Sequence, residues 1–152
     1  MSSSKESQKD DIKSLKQLGS KETHYKYDKP NVEILETFEN KYSKNTYMVE
    51  FEFDEFTSLC PKTGQPDFGS IRVEYFPDKR CIETKSLKLY LFSYRSHKSF
   101  METITNKIME DLVKCCDPIQ LRVFGTFKVR GGVRVKVISS YFCDEDMDPL
   151  KV

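Results

Sequence analysis

The sequence predicts an α+β fold, a four-stranded antiparallel sheet with two helices on one face. Two observations carry that prediction. Period-two alternation marks a pair of strands on either side of the chain's middle, and the middle has the three-and-four spacing of helices. The resulting order is two strands, two helices, two strands. At 152 residues the chain suggests one domain with a modest core.

The elements follow in order. Residues 1–20 are polar and charged with few aliphatics, so burial cannot offset their ordering entropy and a flexible tail is expected. The folded domain is expected over 21–143, and an acidic C-terminal tail over 144–152. Tyr47, Val49, Phe51 and Phe53 alternate with Met48, Glu50 and Glu52, the pattern of a half-buried strand. Ile71, Val73 and Tyr75 alternate with Arg72 and Glu74, and Pro77-Asp78 closes that second strand. Between the two lies S-L-C-P-K-T-G-Q-P-D-F-G, Ser58 to Gly69, read as their connecting loop.

The run S-L-K-L-Y-L-F-S-Y-R fits either period. Helix is preferred because it leaves Lys88 and Arg95 on a second face. From Phe100 to Cys116, apolar positions 101, 104, 108, 112 and 115 form one helical face. Ser99 with Glu102 reads as a capping box, and Asp117-Pro118 as the stop. Leu121, Val123, Phe127 and Val129 then alternate, Arg130-Gly131-Gly132 turns, and Val133, Val135 and Val137 alternate back as a hairpin. So small a core leads us to expect sheet edges that pair with other subunits.

Composition narrows the function. Twenty-five basic against 24 acidic residues leave a net charge of +1, too balanced for bulk attraction to nucleic acid or an anionic membrane. Nothing approaches the roughly 20 apolar residues of a membrane span. The five cysteines are odd in number and lack C-x-x-C spacing. With no secretory leader at Met1, they are expected as reduced thiols in a cytoplasmic protein. His24 and His97 are far apart, and no zinc-type clustering is visible, so no metal is expected.

Candidate chemistry gathers in three places. Cys60 sits in a loop with two prolines and a glycine, which favour a surface position, so its thiol is either structural or a nucleophile. Asp67, seven residues on, either caps a turn or delivers a proton to a developing nitrogen anion. In E-T-K-S-L-K, Lys85 and Lys88 suit phosphate. Glu83 there, like Glu102, can accept the paired N–H groups of a guanine-like edge. The alternative is a solvated helix start. Arg130 beside glycines also suits phosphate, although no Rossmann or P-loop sequence is present.

These segments resemble the NADPH-dependent 7-cyano-7-deazaguanine reductases of the queuosine pathway, in their single-module form. F-T-S-L-C-P-K-T-G-Q-P-D-F-G looks like that family's nucleophile loop. E-T-K-S-L-K-L-Y-L-F-S-Y-R looks like its signature segment, F-G-T-F-K-V-R-G-G like its C-terminal hairpin, and L-E-T-F-E-N like its lead-in. The likeness runs in order from about Leu18 to about Tyr141. It implies a tunnelling fold assembled into rings, commonly two facing pentamers, with sites at subunit contacts. By motif match, Cys60 is expected to add to the nitrile carbon as a thioimide, and Asp67 to give the proton. Ile82, Glu83, Thr84, Met101 and Glu102 are expected to hold the deazaguanine, and Thr84, Lys85, Lys88, Arg130 and Gly131 to face NADPH.

Two positions depart from the family's pattern: Thr84 stands where serine or leucine is usual, and Met101 where histidine is usual. Methionine can pack on the base but cannot handle a proton. The expectation is that binding and thioimide formation survive while turnover is altered. The competing readings are an amidinotransferase-like relative acting on a deazaguanine nitrile in transfer RNA, and a noncatalytic base-binding assembly module.

Overall fold

The computed structural model describes residues 10–16, 18–19 and 27–144. His24, most of the expected N-terminal tail and residues 145–152 of the expected acidic tail lie outside them. A 3-10 turn at Val32–Ile34 leads to β1 (Thr37–Glu39), β2 (Val49–Leu59), β3 (Pro66–Phe76) and β4 (Arg80–Ile82). Then come α1 (Thr84–Phe92), α2 (Met101–Cys116), β5 (Gln120–Phe127) and β6 (Lys136–Phe142). β2-β3-β5-β6 form the four-stranded antiparallel sheet, and β1 pairs with β4 in a separate two-stranded sheet. The α+β architecture is the one read from the sequence. The short β1–β4 pair was not, because three residues carry too little alternation to reveal a strand.

Both helices cover one face of the main sheet. Ile71, Val73 and Tyr75 of β3, with Leu121, Val123 and Phe127 of β5, form the floor of the core. Above them lie Leu87, Tyr90 and Leu91 of α1 and Ile104, Ile108, Leu112 and Cys116 of α2. One buried hydrogen bond joins the helices, and an ion pair within α2 supports its acceptor. Tyr90 Oη donates to Asp111 Oδ2 at 2.6 Å, and Lys107 pairs with Asp111 at 2.7 Å. A buried carboxylate needs such partners to avoid a cost of several kcal/mol.

Three boundaries differ from the sequence reading, each for a physical reason. β2 runs on to Leu59 because a bulge between Phe53 and Phe56 inserts one extra residue. That residue switches the inward positions from Phe51 and Phe53 to Phe56 and Ser58, so the alternation breaks in the sequence while the strand continues. With β3 starting at Pro66, the expected Ser58–Gly69 loop is a hairpin whose paired residues include Ser58↔Asp67 and Leu59↔Pro66. At the other hairpin, β5 ends at Phe127. Arg130 and Val133 form an isolated bridge around Gly131 and Gly132, which have φ of 56° and 81°. Two successive positive φ values in a two-residue turn are what glycine supplies without strain.

The expected Ser99–Glu102 capping box is not formed. Phe100 is the N-cap of α2 and makes no side-chain cap hydrogen bond. Ser99 is instead drawn into a ladder with Leu59: its N–H donates to Leu59 O at 3.1 Å, while Leu59 N–H donates to His97 O at 3.0 Å. Asp117 does end α2, in the left-handed region at φ 45°.

Candidate active site

The β2–β3 turn is built around Cys60. Its N–H donates to Gln65 O at 2.9 Å, and its carbonyl accepts from Gly64 N–H at 3.0 Å. The second bond closes one helical turn over Pro61–Gly64, with Cys60 at the N-cap position and Pro61 at the first helical position, where proline is pre-shaped for a helix. An N-cap side chain accepts from the amides two and three residues on. Here the amides at those two positions are those of Lys62 and Thr63. The Thr63 hydroxyl, followed by these two amides, brings the thiol down to about 7, against burial and the nearby Asp67 charge, which push it up. Cys60 is half-buried, open enough to be reached.

Asp67 points inward from the start of β3 and is 4% exposed. Its partner comes from the other hairpin. The N–H of Lys128 donates to Phe68 O at 2.8 Å, so the β5–β6 turn overhangs the start of β3. Arg130 there donates through Nη1 to Asp67 Oδ1 at 2.5 Å and through Nη2 to Gln65 Oε1. Across from Asp67, Ser58 is fully buried with a hydroxyl that has no hydrogen-bond partner. The start of α2 is delivered to this end by the Leu59 ladder. Met101 packs half-buried against the core, and Glu102 is exposed.

The remaining expected residues lie elsewhere. Ile82 N–H donates to Tyr75 Oη at 3.0 Å, at the opposite end of β3. Eight residues separate Asp67 from Tyr75, roughly 25 Å at strand rise. Glu83 is buried there as the N-cap of α1, and its two oxygens accept from Lys85 N–H and Ser86 N–H, both at 2.7 Å. Each oxygen keeps a lone pair for a further donor. Thr84 and Lys88 are exposed and Lys85 half-buried along α1, and Gly131 is exposed in its turn. One chain therefore unites Cys60, Asp67, Arg130 and the start of α2, and holds Ile82, Glu83 and Thr84 at the far end.

The other cysteines differ from Cys60. Burial pushes the Cys115 and Cys116 thiols up to about 11 and about 12, and Cys81 is buried beside Tyr47 Oη at 3.5 Å. Among the described residues no group of three or more His, Cys, Asp or Glu side chains is placed to hold a metal ion. Thr63, Gln65 and Ser58 escaped the sequence reading. The signal for Thr63 was present: C-P-K-T places a potential acceptor at the N-cap, proline next and a hydroxyl at the third helical position.

A family model described as QueF-like protein matches residues 66–146. The NADPH-dependent 7-cyano-7-deazaguanine reductase of Streptococcus thermophilus is 49% identical over 135 residues, 89% of this chain and 82% of that one. The protein of that name from Desulfovibrio desulfuricans is 48% identical over 135 residues, 89% and 81% of the two chains. That from Nitratidesulfovibrio vulgaris is 45% identical over 142 residues, 93% and 84%. Among solved structures, the apo form of the archaeosine synthase QueF-Like superposes with a TM-score of 0.55 at 21% identity. The match covers 62% of this chain and 91% of that one, a likeness of fold.

Proposed function

Because this chain belongs to the family of NADPH-dependent 7-cyano-7-deazaguanine reductases, we propose that it reduces the nitrile of 7-cyano-7-deazaguanine to an aminomethyl group through a thioimide on Cys60. The product, 7-aminomethyl-7-deazaguanine, serves queuosine synthesis for transfer RNA. The observation that carries the mechanism is the hairpin that sets the Cys60 thiol, lowered to about 7, beside the buried acid Asp67.

The Cys60 sulfur forms a C–S bond to the nitrile carbon, one π bond of the C≡N group breaks, and the proton released by the thiol passes through the Asp67 carboxylate to the nitrogen. Arg130, bonded to Asp67, balances the charge left on the carboxylate. Covalent attachment turns a poor hydride acceptor into a C=N group that can be reduced. NADPH, when bound, supplies hydride, and two equivalents provide the four electrons between nitrile and amine. Between the two reductions the thiohemiaminal expels Cys60 and leaves an imine.

The residues present fit the cofactor. Lys85 and Lys88, three apart on α1, offer cations for phosphate. Gly131 has open space where a side chain would stand, so its backbone can be approached. Thr84 and Arg130 complete the set. Ile82, Glu83, Thr84, Met101 and Glu102 hold the base. With Met101 where an imidazole is usual, proton transfer rests on Asp67.

The roughly 25 Å between the two groups of site residues supports a site completed by a second copy, whose Ile82–Thr84 end meets the Cys60 end. Edge strands β2 and β6 are available for this, since neither has an outer partner among the described residues. We place the chain in a ring of two facing pentamers, in the cytoplasm. Among the described residues no helix is long and apolar enough to cross a membrane. The test is loss of NADPH absorbance with 7-cyano-7-deazaguanine. Two NADPH consumed per nitrile is expected, whereas none would favour an amidinotransferase-like or noncatalytic role, and one would reject the four-electron scheme.

A further inference from the structure

We propose that Ser58 is a positioning residue for the reaction, whose hydroxyl bonds Asp67 Oδ2 and holds the carboxyl in line while it relays the proton. The proposal rests on the reductase reading above, in which Asp67 carries a proton to the nitrile nitrogen.

The placement comes from the strands. In the β2–β3 ladder Ser58 stands directly opposite Asp67, and directly opposed residues share one face with Cβ atoms roughly 5 Å apart. Both side chains face inward, Ser58 at 0% and Asp67 at 4% exposure. The bulge between Phe53 and Phe56 brings Ser58 to this position, since its extra residue shifts every pair beyond it. At the preceding inward position of β2, Phe56 packs against Tyr94 and Phe127, at ring distances of 5.7 and 6.3 Å. The hydroxyl therefore has aromatic packing along its strand and the acid across from it.

Ser58 Oγ has no hydrogen-bond partner. A buried hydroxyl without one destabilises the fold, and alanine would fill the same space without that cost. The residue across from it has an oxygen to offer. Arg130 donates to Asp67 Oδ1 at 2.5 Å, and its other terminal nitrogen turns to Gln65, which leaves Oδ2 for a second donor. Rotation about the serine Cα–Cβ bond swings Oγ into the gap between the strands.

A single bond at Oδ1 lets the carboxyl pivot about that contact, whereas a second bond at Oδ2 fixes its plane. A hydroxyl suits this task. The carboxyl is ionised before it takes the thiol's proton, and ionised again once nitrogen has received it. Between the two transfers it is a neutral acid. A hydroxyl donates to the ionised form and accepts from the neutral one, so its hold survives both transfers, whereas arginine or lysine can only donate. Ser58 exchanges no proton with the substrate and acts through Asp67.

The test follows thioimide formation by stopped flow in the full chain, with 7-cyano-7-deazaguanine and no NADPH. Ser58→Ala should slow it on the order of ten-fold. The Tm of that variant should be unchanged or raised, because an unpaired hydroxyl is removed. Ser58→Thr, which keeps the hydroxyl, should retain most of the wild-type rate. In the Asp67→Asn background, Ser58→Ala should change the rate less than about two-fold, since the effect passes through the acid. If the added methyl of Ser58→Thr lowers its Tm, the double variant decides. A wild-type rate in Ser58→Ala, an equal drop in a Ser58→Thr protein of normal Tm, or the full drop on top of Asp67→Asn overturns the proposal. A wild-type protein that forms no adduct overturns the reductase reading and this role together. An adduct that Ser58→Ala forms at the full rate removes Ser58 alone.

Discussion

Arg130 reaches across 63 residues of sequence to donate to Asp67 Oδ1 at 2.5 Å. The bond ties the β5–β6 turn to the hairpin that carries Cys60. Asp67 is buried and Arg130 is 37% exposed, so solvent weakens the pair from one side only. Arg130→Ala should cost about 1–2 kcal/mol in urea denaturation, chiefly by leaving a buried carboxylate unpaired. Adding Asp67→Asn to Arg130→Ala should recover part of that loss. Strict additivity of the two changes would show that the residues do not interact.

Asp67→Asn alone removes the proton donor while keeping the side chain's shape. Thioimide formation should slow on the order of 100-fold or more, the usual contribution of a positioned acid. Stopped-flow measurement of the adduct in the absence of NADPH reads that step alone, and an unaltered rate would remove Asp67 from the chemistry.

Selective alkylation follows from the spread of thiol acidities. Near pH 7 Cys60 should be modified well before Cys115 and Cys116, whose thiols burial pushes up to about 11 and about 12. The sign is that of a depressed thiol: reactivity at Cys60 climbs as pH rises through about 7 and levels above it. Peptide mapping after a brief iodoacetamide pulse checks the order. Modification of Cys115 ahead of Cys60 would contradict it.

The fold is sensitive at Gly69, opposite the bulge in β2. A Cβ there would stand 2.5 Å from Thr126 O and 3.1 Å from Phe127 Cα, both backbone atoms that move only with the sheet. Gly69→Ala should therefore destabilise by about 1–3 kcal/mol, seen as a lower Tm of several degrees. An unchanged Tm would mean that β3 and β5 separate more easily than their register suggests.

A shared site makes a distinctive prediction for mixtures. Cys60→Ala and Glu83→Ala each disable one end, yet randomly mixed subunits would pair an intact Cys60 end with an intact Glu83 end in about a quarter of contacts. Co-refolding the two inactive variants should restore activity toward that fraction. Persistent inactivity of a mixture that has assembled would place both ends of a site within one chain.

β2, β3, β5 and both helices were legible in the sequence because their periods persist for five residues or more, whereas the last strand was read over Val133–Val137 and lies at Lys136–Phe142. Where the period is interrupted, the reading stopped early. The bulge after Phe53 hid six residues of β2, and with them the fact that Asp67 lies in a strand opposite Ser58. Cys60 and Asp67 stood out by residue type and spacing. The Arg130–Asp67 bond did not, since a contact across 63 residues depends on the β3–β5 register, which no local pattern encodes. The turn that carries Cys60 was hidden for a different reason: it is a single turn, shorter than any periodicity can report.

The central claim is that Cys60 attacks the nitrile, and intact-mass measurement after mixing protein with 7-cyano-7-deazaguanine, without NADPH, tests it most directly. The wild type should gain the mass of one substrate per chain, the gain should be absent in Cys60→Ala, and adding NADPH should discharge it. A wild-type protein that gains no mass, or a Cys60→Ala variant that still does, would contradict the account.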